Sequence, residues 1–286
     1  MKNHMITQKG ICRFANHLRE NEKAALTIKK YLHEIILLME YLAGEPISKA
    51  KLLLYRDKLL EENQVQTVNA KLSAVNSYME YAGLKECKVK LLKVQRKVFI
   101  DDDRNLSEAE YKRLLKAARE KNNNRLYYVM LTLCATGIRV SELKFITLEA
   151  VKNGKAEINL KGKIRTIVLH KELIRKLKKY ADEQGINSGY LFRTSSGKSL
   201  DRSNICHDMK KLCKTAKVNP KKVFPHNLRH LFAKSYYAIE KNLARLADIL
   251  GHSSVETTRI YVATGIREHE RILQQMKLRF LHFLNS

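Results

Sequence analysis

At 286 residues, 44% of them apolar, the chain is long enough for one large domain or two ordinary ones, each with its own core. Its 55 Lys and Arg against 29 Asp and Glu leave a net charge of +26, which excludes a neutral or acidic surface and favours a polyanionic partner, nucleic acid first. No apolar run approaches the roughly 18 residues of a membrane span, and the N-terminus MKNHMITQKG is polar, so a soluble, cytoplasmic protein with no membrane partner is expected.

The charge is spread along the chain: residues 1–100 hold 18 basic and 10 acidic residues, and the remainder 37 and 19, so neither half is a detachable basic tail. The five cysteines, Cys12, Cys87, Cys134, Cys206 and Cys213, are scattered and lack C-x-x-C spacing, which fits free thiols in a reducing compartment. Cys206, His207 and Cys213 lie close in sequence, but on a basic helix that proximity reads as chance rather than as a metal site.

From Leu26 to Ala43, apolar residues recur at three and four (Ile28, Tyr31, Leu32, Ile35, Met39, Leu42), and Gly44 follows as a stop, which predicts an amphipathic helix. A second helix is predicted from a Ser48 cap through Leu52, Tyr55 and Leu59, and a third from Thr67 through Leu72, Val75 and Met79 to Gly83. Residues 1–95 therefore read as an all-α domain. The apolar period then lapses in KVKLLKVQRKVFIDDDRN, which places a linker at about 96–104 and a second domain over 105–286. Ser107 and Glu110 open that domain with the spacing of a capping box.

AEINLKGKIRTIVL at 156–169 alternates apolar and polar residues on both sides of Lys161-Gly162-Lys163, the pattern of a tight hairpin. Helical spacing returns at 171–184, at 203–217 behind Ser203, at 226–239, and at 242–250 before Gly251. The fold class is thus mainly α with a small β-sheet, an α+β second domain behind an all-α first one. Six lysines between Lys210 and Lys222 form either a solvated face or a phosphate-tracking surface.

Donor-rich side chains stand beside turn and helix signals at Arg139 in ATGIRVSEL, at the hairpin lysines, at His226 and Arg229 in PHNLRH, at His252 after Gly251, and at Tyr261. Each has an ordinary explanation: Arg139 can pair with Glu142 three residues on, a hairpin lysine is usually solvated, and a tyrosine is most often a core aromatic with a wet hydroxyl. Together they supply guanidinium forks, an ammonium, two imidazoles and a phenol, with no carboxylate cluster to hold a metal. That set suits a phosphodiester. Guanidinium groups can hold the non-bridging oxygens and offset charge growing on a five-coordinate phosphorus. A phenol becomes a nucleophile where a cationic pocket favours its phenolate, and a lysine can protonate the leaving oxygen.

The series R-V-S-E-L at 139–143, K-G-K-I-R at 161–165, H-N-L-R at 226–229, L-G-H at 250–252 and Tyr261 nine residues after His252 resembles the tyrosine recombinase family, in particular its Xer and phage integrase branch. The likeness spans about residues 26–264 and includes the connecting segments TGIRVSEL, LFRTSSGKSLDRSNI and PHNLRHLFAKS. It implies an N-terminal core-binding, SAM-like domain and a C-terminal catalytic domain that clamp duplex DNA recombination sites. It also implies a role for each matched residue. Tyr261 attacks the scissile phosphate to give a 3′-phosphotyrosyl link and a free 5′ hydroxyl, Arg139 and Arg229 bind the phosphate, His226 and His252 assist proton movement and phosphate contact, and the hairpin lysine protonates the leaving oxygen. Neither ATP nor a metal is needed, because one phosphodiester replaces another of similar energy.

The hairpin departs from the family's G-K-G-x-K-x-R, being one residue shorter before the arginine. Matching the lysine that precedes glycine selects Lys161, while counting back from Arg165 leaves Lys163 open. The apolar stripe Ile266, Ile272, Met276, Phe280 and Phe283 in the tail, a helix expected from about 265, packs either on its own domain or, as the resemblance implies, on a neighbouring protomer of a DNA-bound homo-tetramer. Accessory DNA-bending or directionality proteins are further partners the resemblance admits. Two rival readings stand beside strand exchange: a type IB topoisomerase, which would relax any plasmid as a monomer, and a catalytically silent DNA-binding protein on the same fold.

Overall fold

The computed structural model describes residues 4–94, 104–160, 163–194 and 196–262, with 270, 271, 273 and 274 beyond them. The chain divides into two units, Met1–Arg96 and Lys97–Ser286. Lys161, most of the 96–104 linker and most of the tail lie outside the described residues; Glu270, Arg271, Leu273 and Gln274 of the tail are helical and exposed.

The first unit is built from α1 (Gln8–Glu20), α2 (Ala25–Leu42), α3 (Lys49–Glu62) and α4 (Val65–Tyr81). Helix α1 adds to the three helices that the apolar spacing predicts from Leu26 on. Its buried Ile11, Phe14, Ala15 and Leu18 obey the same period, and the Thr7 hydroxyl caps it by accepting the Gly10 amide at 3.1 Å. Ser48 caps α3 as expected, whereas α4 begins at Val65, so Thr67 sits inside the first turn rather than at the cap. Phe14, Ile35, Leu38, Leu72, Val75 and Met79 form the centre of this unit's core. The segment after α4 is tied back by Asn76, whose side chain exchanges two 2.8 Å hydrogen bonds with Val89, and by Asn69, which does the same with Leu92 at 2.8 and 2.9 Å.

The second unit opens with α5 (Glu108–Glu120), where the Ser107 hydroxyl accepts the Glu110 amide at 3.2 Å and the Glu110 carboxylate accepts the Ser107 amide at 2.8 Å. Helix α6 (Asn124–Thr136) runs through the core, with Val129, Met130 and Leu133 fully buried. A 3₁₀ turn over Val140–Phe145 and α7 (Leu148–Asn153) lead to an antiparallel hairpin of β1 (Lys155–Leu160) and β2 (Lys163–Val168), in the register Ala156↔Ile167 and Ile158↔Arg165. Among the described residues this pair is the whole sheet. Helix α8 (Lys171–Glu183) packs against α7 and α6. The helix predicted over 203–217 is two, α9 (Arg202–Lys211) and α10 (Cys213–Ala216), and Asp201 rather than Ser203 caps the first: its carboxylate accepts the Ser203 amide at 2.8 Å.

Helices α11 (Pro225–Ile239), α12 (Leu243–Leu250) and α13 (Val255–Val262) close the unit around a small second cluster of Ala233, Leu246, Leu250 and Tyr261. Lys210, Lys211, Lys214, Lys217 and Lys221 are exposed, and Lys222 pairs with Glu110 at 3.2 Å. Among the described residues no helix is long and apolar enough to cross a membrane.

Candidate active site

Three helix ends converge on one pocket. Helix α6 stops at Gly137, whose φ of +65° places it in the left-handed region; its amide closes on the Leu133 carbonyl at 3.0 Å. The turn sends Ile138 into the core and Arg139 out to the cleft. Helix α11 starts on Pro225, so His226, Arg229 and His230 share one face at i, i+3 and i+4. Helix α12 ends in a Schellman motif: the His252 amide reaches the Ala247 carbonyl at 3.0 Å and the Gly251 amide the Asp248 carbonyl at 2.9 Å.

That cap satisfies two of the last carbonyls and leaves those of Leu250 and Gly251 facing the arginines. The Leu250 carbonyl accepts Arg229 Nη2 at 2.6 Å and Arg139 Nη1 at 3.4 Å, and also takes Arg165 Nη1; Gly251 accepts Arg139 Nη2 at 3.3 Å. The partial negative charge at the C-terminus of α12 thus offsets three guanidinium groups. Glu142, 2% exposed, is the carboxylate among them. It accepts Arg139 Nη1 at 3.0 Å, the Arg139 amide at 2.7 Å and Arg165 Nη2 at 2.6 Å. The Arg139–Glu142 pairing expected of an ordinary surface contact is therefore present, but inside the pocket and shared with β2.

Arg229 is 1% exposed and donates from Nη1 to the Gly137 carbonyl at 2.6 Å. Burial, and then Arg139, push its pKa down to about 10, with Tyr261 opposing. Its Nη2 also lies 2.9 Å from His252 Nε2. A guanidinium nitrogen can only donate, so Nε2 is the acceptor and the proton of a neutral His252 sits on Nδ1, 2.8 Å from the Thr258 hydroxyl. Burial and the nearby Arg229 agree, lowering the His252 pKa to about 4.

Tyr261 comes into this frame from α13. It is 7% exposed, its ring lies 4.3 Å from that of His230 and stacks on that of His252 at 5.3 Å, and its hydroxyl is 3.1 Å from His226 Nε2. Partial desolvation of its ring, on a residue that is still exposed, and then Arg229 lower the pKa of His226, while burial and then His226 bring that of His230 to about 4, so His230 is neutral at pH 7. In front of the arginines opens a cleft of about 540 Å³, lined among others by Arg139, Ser141, Lys144, Arg202, His226 and Arg229.

Of the residues singled out in the sequence, Arg139, His226, Arg229, His252 and Tyr261 are brought together here; Lys161 lies outside the described residues. Sequence reasoning meets Arg165 only as the end of K-G-K-I-R and gives it no role, and it gives none to His230 or Thr258. His230 carries a signal at i+4 from His226, and Thr258 one at i−3 from Tyr261, but Arg165 enters only through tertiary contact with residues 23 and 85 positions away.

A buried phenol hydrogen-bonded to an imidazole and flanked by guanidinium groups can engage a phosphodiester, and the class of protein that carries such a set on this fold is the tyrosine recombinases, enzymes that break and rejoin DNA. The chain belongs to the phage integrase family, whose model matches residues 104–266. It is similar to the tyrosine recombinase XerA of Pyrococcus furiosus, 26% identical over 273 residues that make up 93% of each chain. Similar too is XerD of Vibrio cholerae, 29% identical over 269 residues and 87% of each. Among solved structures, the crystal structure of XerA recombinase covers 95% of this chain and 99% of its own at 25% identity and a TM-score of 0.53. A lambda integrase dimer bound to a COC′ core site matches at a TM-score of 0.72 over 91% of this chain and 78% of its own; at 17% identity that likeness speaks for the fold alone.

Proposed function

We propose that the chain exchanges DNA strands between pairs of specific duplex sites, with Tyr261 as the nucleophile. The observation that carries this reading is the 3.1 Å approach of the Tyr261 hydroxyl to His226 Nε2, in a pocket whose guanidinium groups face an open cleft. The Tyr261 oxygen forms a bond to the scissile phosphorus as the bond to the 5′ oxygen breaks. The phenol proton passes to His226, and the leaving 5′ oxygen takes a proton from Lys161. Arg139 and Arg229 exchange their Leu250 and Gly251 carbonyls for the non-bridging oxygens, holding the charge of the five-coordinate phosphorus. His252 adds a phosphate contact. The phosphotyrosyl bond conserves the energy of the phosphodiester, so the reverse attack by a 5′ hydroxyl rejoins the strands without ATP.

In this reading the Met1–Arg96 unit grips the duplex, the tail beyond about 265 links protomers into a tetramer on paired sites, and the protein works in the cytoplasm with accessory DNA-bending or directionality proteins. The test is a nicked suicide duplex bearing a site that the protein itself selects from a random-sequence pool. The wild-type chain becomes covalently attached in the presence of EDTA, and Tyr261→Phe does not. Attachment that survives Tyr261→Phe removes Tyr261 from the mechanism, and relaxation of plasmids lacking that site by single protomers replaces strand exchange with topoisomerase action.

A further inference from the structure

Helix α13 carries two residues into the pocket, Tyr261 and, one turn earlier on the same face, Thr258. Thr258 is 0% exposed, and its hydroxyl lies 2.8 Å from His252 Nδ1. On its other edge His252 accepts from Arg229. The imidazole is therefore spanned by a group that can only donate, the guanidinium, and one that can both donate and accept, the hydroxyl.

This asymmetry matters when a phosphate arrives. With Arg229 turned to the phosphate, the Nε2 edge of His252 faces an oxyanion, which needs a donor. A neutral imidazole donates from Nε2 only if its proton leaves Nδ1, and Nδ1 then needs a donor of its own. A carbonyl or carboxylate against Nδ1 would hold the proton where it is. A hydroxyl turns round. In the exchange Nδ1 gives one proton to water and Nε2 takes one from water, so the ring keeps zero charge, while the threonine proton rotates towards Nδ1. Residues facing the ring are Arg229 and His226 of α11, Arg139 of the turn after α6, Arg165 of β2 and Tyr261 of α13; none of these offers Nδ1 a reversible partner.

We infer that Thr258 is a positioning residue for strand cleavage: its hydroxyl accepts from His252 Nδ1–H in the DNA-free protein and donates to Nδ1 when Nε2–H is given to the scissile phosphate. The helix that delivers the nucleophile thereby also lets His252 change the edge from which it donates, so the two groups arrive together. The inference rests on the phosphodiester reading of the site.

The experiment compares Thr258→Val, isosteric and without the hydroxyl, with Thr258→Ser, in single-turnover covalent attachment to the same suicide duplex. A positioned proton-transfer group contributes ~10²–10⁴-fold, and losing the partner that arranges it is expected to slow Thr258→Val about tenfold or more. Thr258→Ser keeps the donor and acceptor and is expected within about threefold of wild type. In a His252→Phe background, Thr258→Val adds no further loss, because the hydroxyl acts through the imidazole. Equal slowing of the serine and valine variants, wild-type rates in Thr258→Val, or an undiminished effect without His252 would each overturn the inference.

A measurement on the wild-type chain needs no variant to be active: ¹⁵N correlation spectra of the histidine side chains, with His252 assigned by its loss in His252→Phe, should show the Nδ1–H form without DNA. An Nε2–H ring in the free protein refutes the hydroxyl's role directly. If the wild-type chain makes no covalent adduct at all, the phosphodiester reading fails, and the spectra still decide whether His252 presents Nδ1–H to the Thr258 hydroxyl in the free protein.

Discussion

A guanidinium taken out of water costs several kcal/mol unless its protons find acceptors. Arg229 finds the Gly137 and Leu250 carbonyls and His252 Nε2, while its Nε is buried with no partner among the described residues. The three imidazoles around Tyr261 are likewise desolvated, and the nearby guanidinium of Arg229 further disfavours their positive form. Unfolded, a histidine titrates near 6.5; folded, His230 and His252 are held at about 4. Between those values the unfolded chain binds more protons, so stability is intact above about pH 6.5 and falls as the pH drops towards 4. Urea midpoints at pH 7 and pH 5 test this above the range where the carboxylates titrate, and His230→Gln, lacking one of these groups, is expected to lose less stability over that interval than wild type. Equal losses would mean that His230 is not held neutral by its surroundings. At this scale the sequence was legible where function depends on local spacing: His226 and Arg229 share a helix face, and Tyr261 follows a capped histidine. It was illegible where a partner comes from far along the chain, as with Arg165, which meets Glu142 and the Leu250 carbonyl across 23 and 85 residues.

Among the elements, helix ends do the positioning, and two glycines, Gly137 after α6 and Gly251 after α12, make them possible. Gly251 has a φ of +64°, and a Cβ built there would run into Arg165 Nη1. Gly154 has a similar φ of +71°, but its Cβ would meet only Ile174 Cδ1 at 3.4 Å. Alanine at either position bears the left-handed backbone cost of about 1–2 kcal/mol. Gly251→Ala also displaces the arginine that ties β2 to Glu142 and to α12, so it is expected to destabilise more than Gly154→Ala in urea unfolding and, unlike it, to slow covalent attachment. Matching effects of the two substitutions would show that the close approach of Arg165 is dispensable. Helices with strong apolar periods were readable to within a residue or two, as at α2 and α12. Caps were read less well: Asp201 outdid Ser203 with a carboxylate aimed at the Ser203 amide, and α4 started ahead of Thr67 on Gln64, with no side chain capping it.

For the molecule as a whole, a net charge of +26 shared by both units makes DNA binding chiefly an exchange of condensed counterions for lysine and arginine. Part of that charge is already spent inside the protein: Arg139 and Arg165 share Glu142, Arg229 is buried, and Lys222 pairs with Glu110. The exposed lysines from Lys210 to Lys221, by contrast, face solvent and are available to phosphates, Lys211 from an exposed pair with Asp208 at 3.2 Å. If the protein touches six to ten phosphates, affinity for a duplex should fall by ~10³–10⁵ between 50 and 200 mM salt, with log K linear in log salt. Replacing Lys210, Lys211 and Lys214 by glutamine should make the slope shallower by roughly one unit per lost contact if this face tracks the backbone, and should leave it unchanged if the face is only solvated. Covalent attachment at saturating protein should be unaffected, because these lysines stand apart from the groups gathered around Tyr261. A wild-type slope near zero would mean that the positive field serves something other than the DNA backbone, and the assignment of the cleft to a phosphodiester would then have to rest on the chemistry of Tyr261 alone.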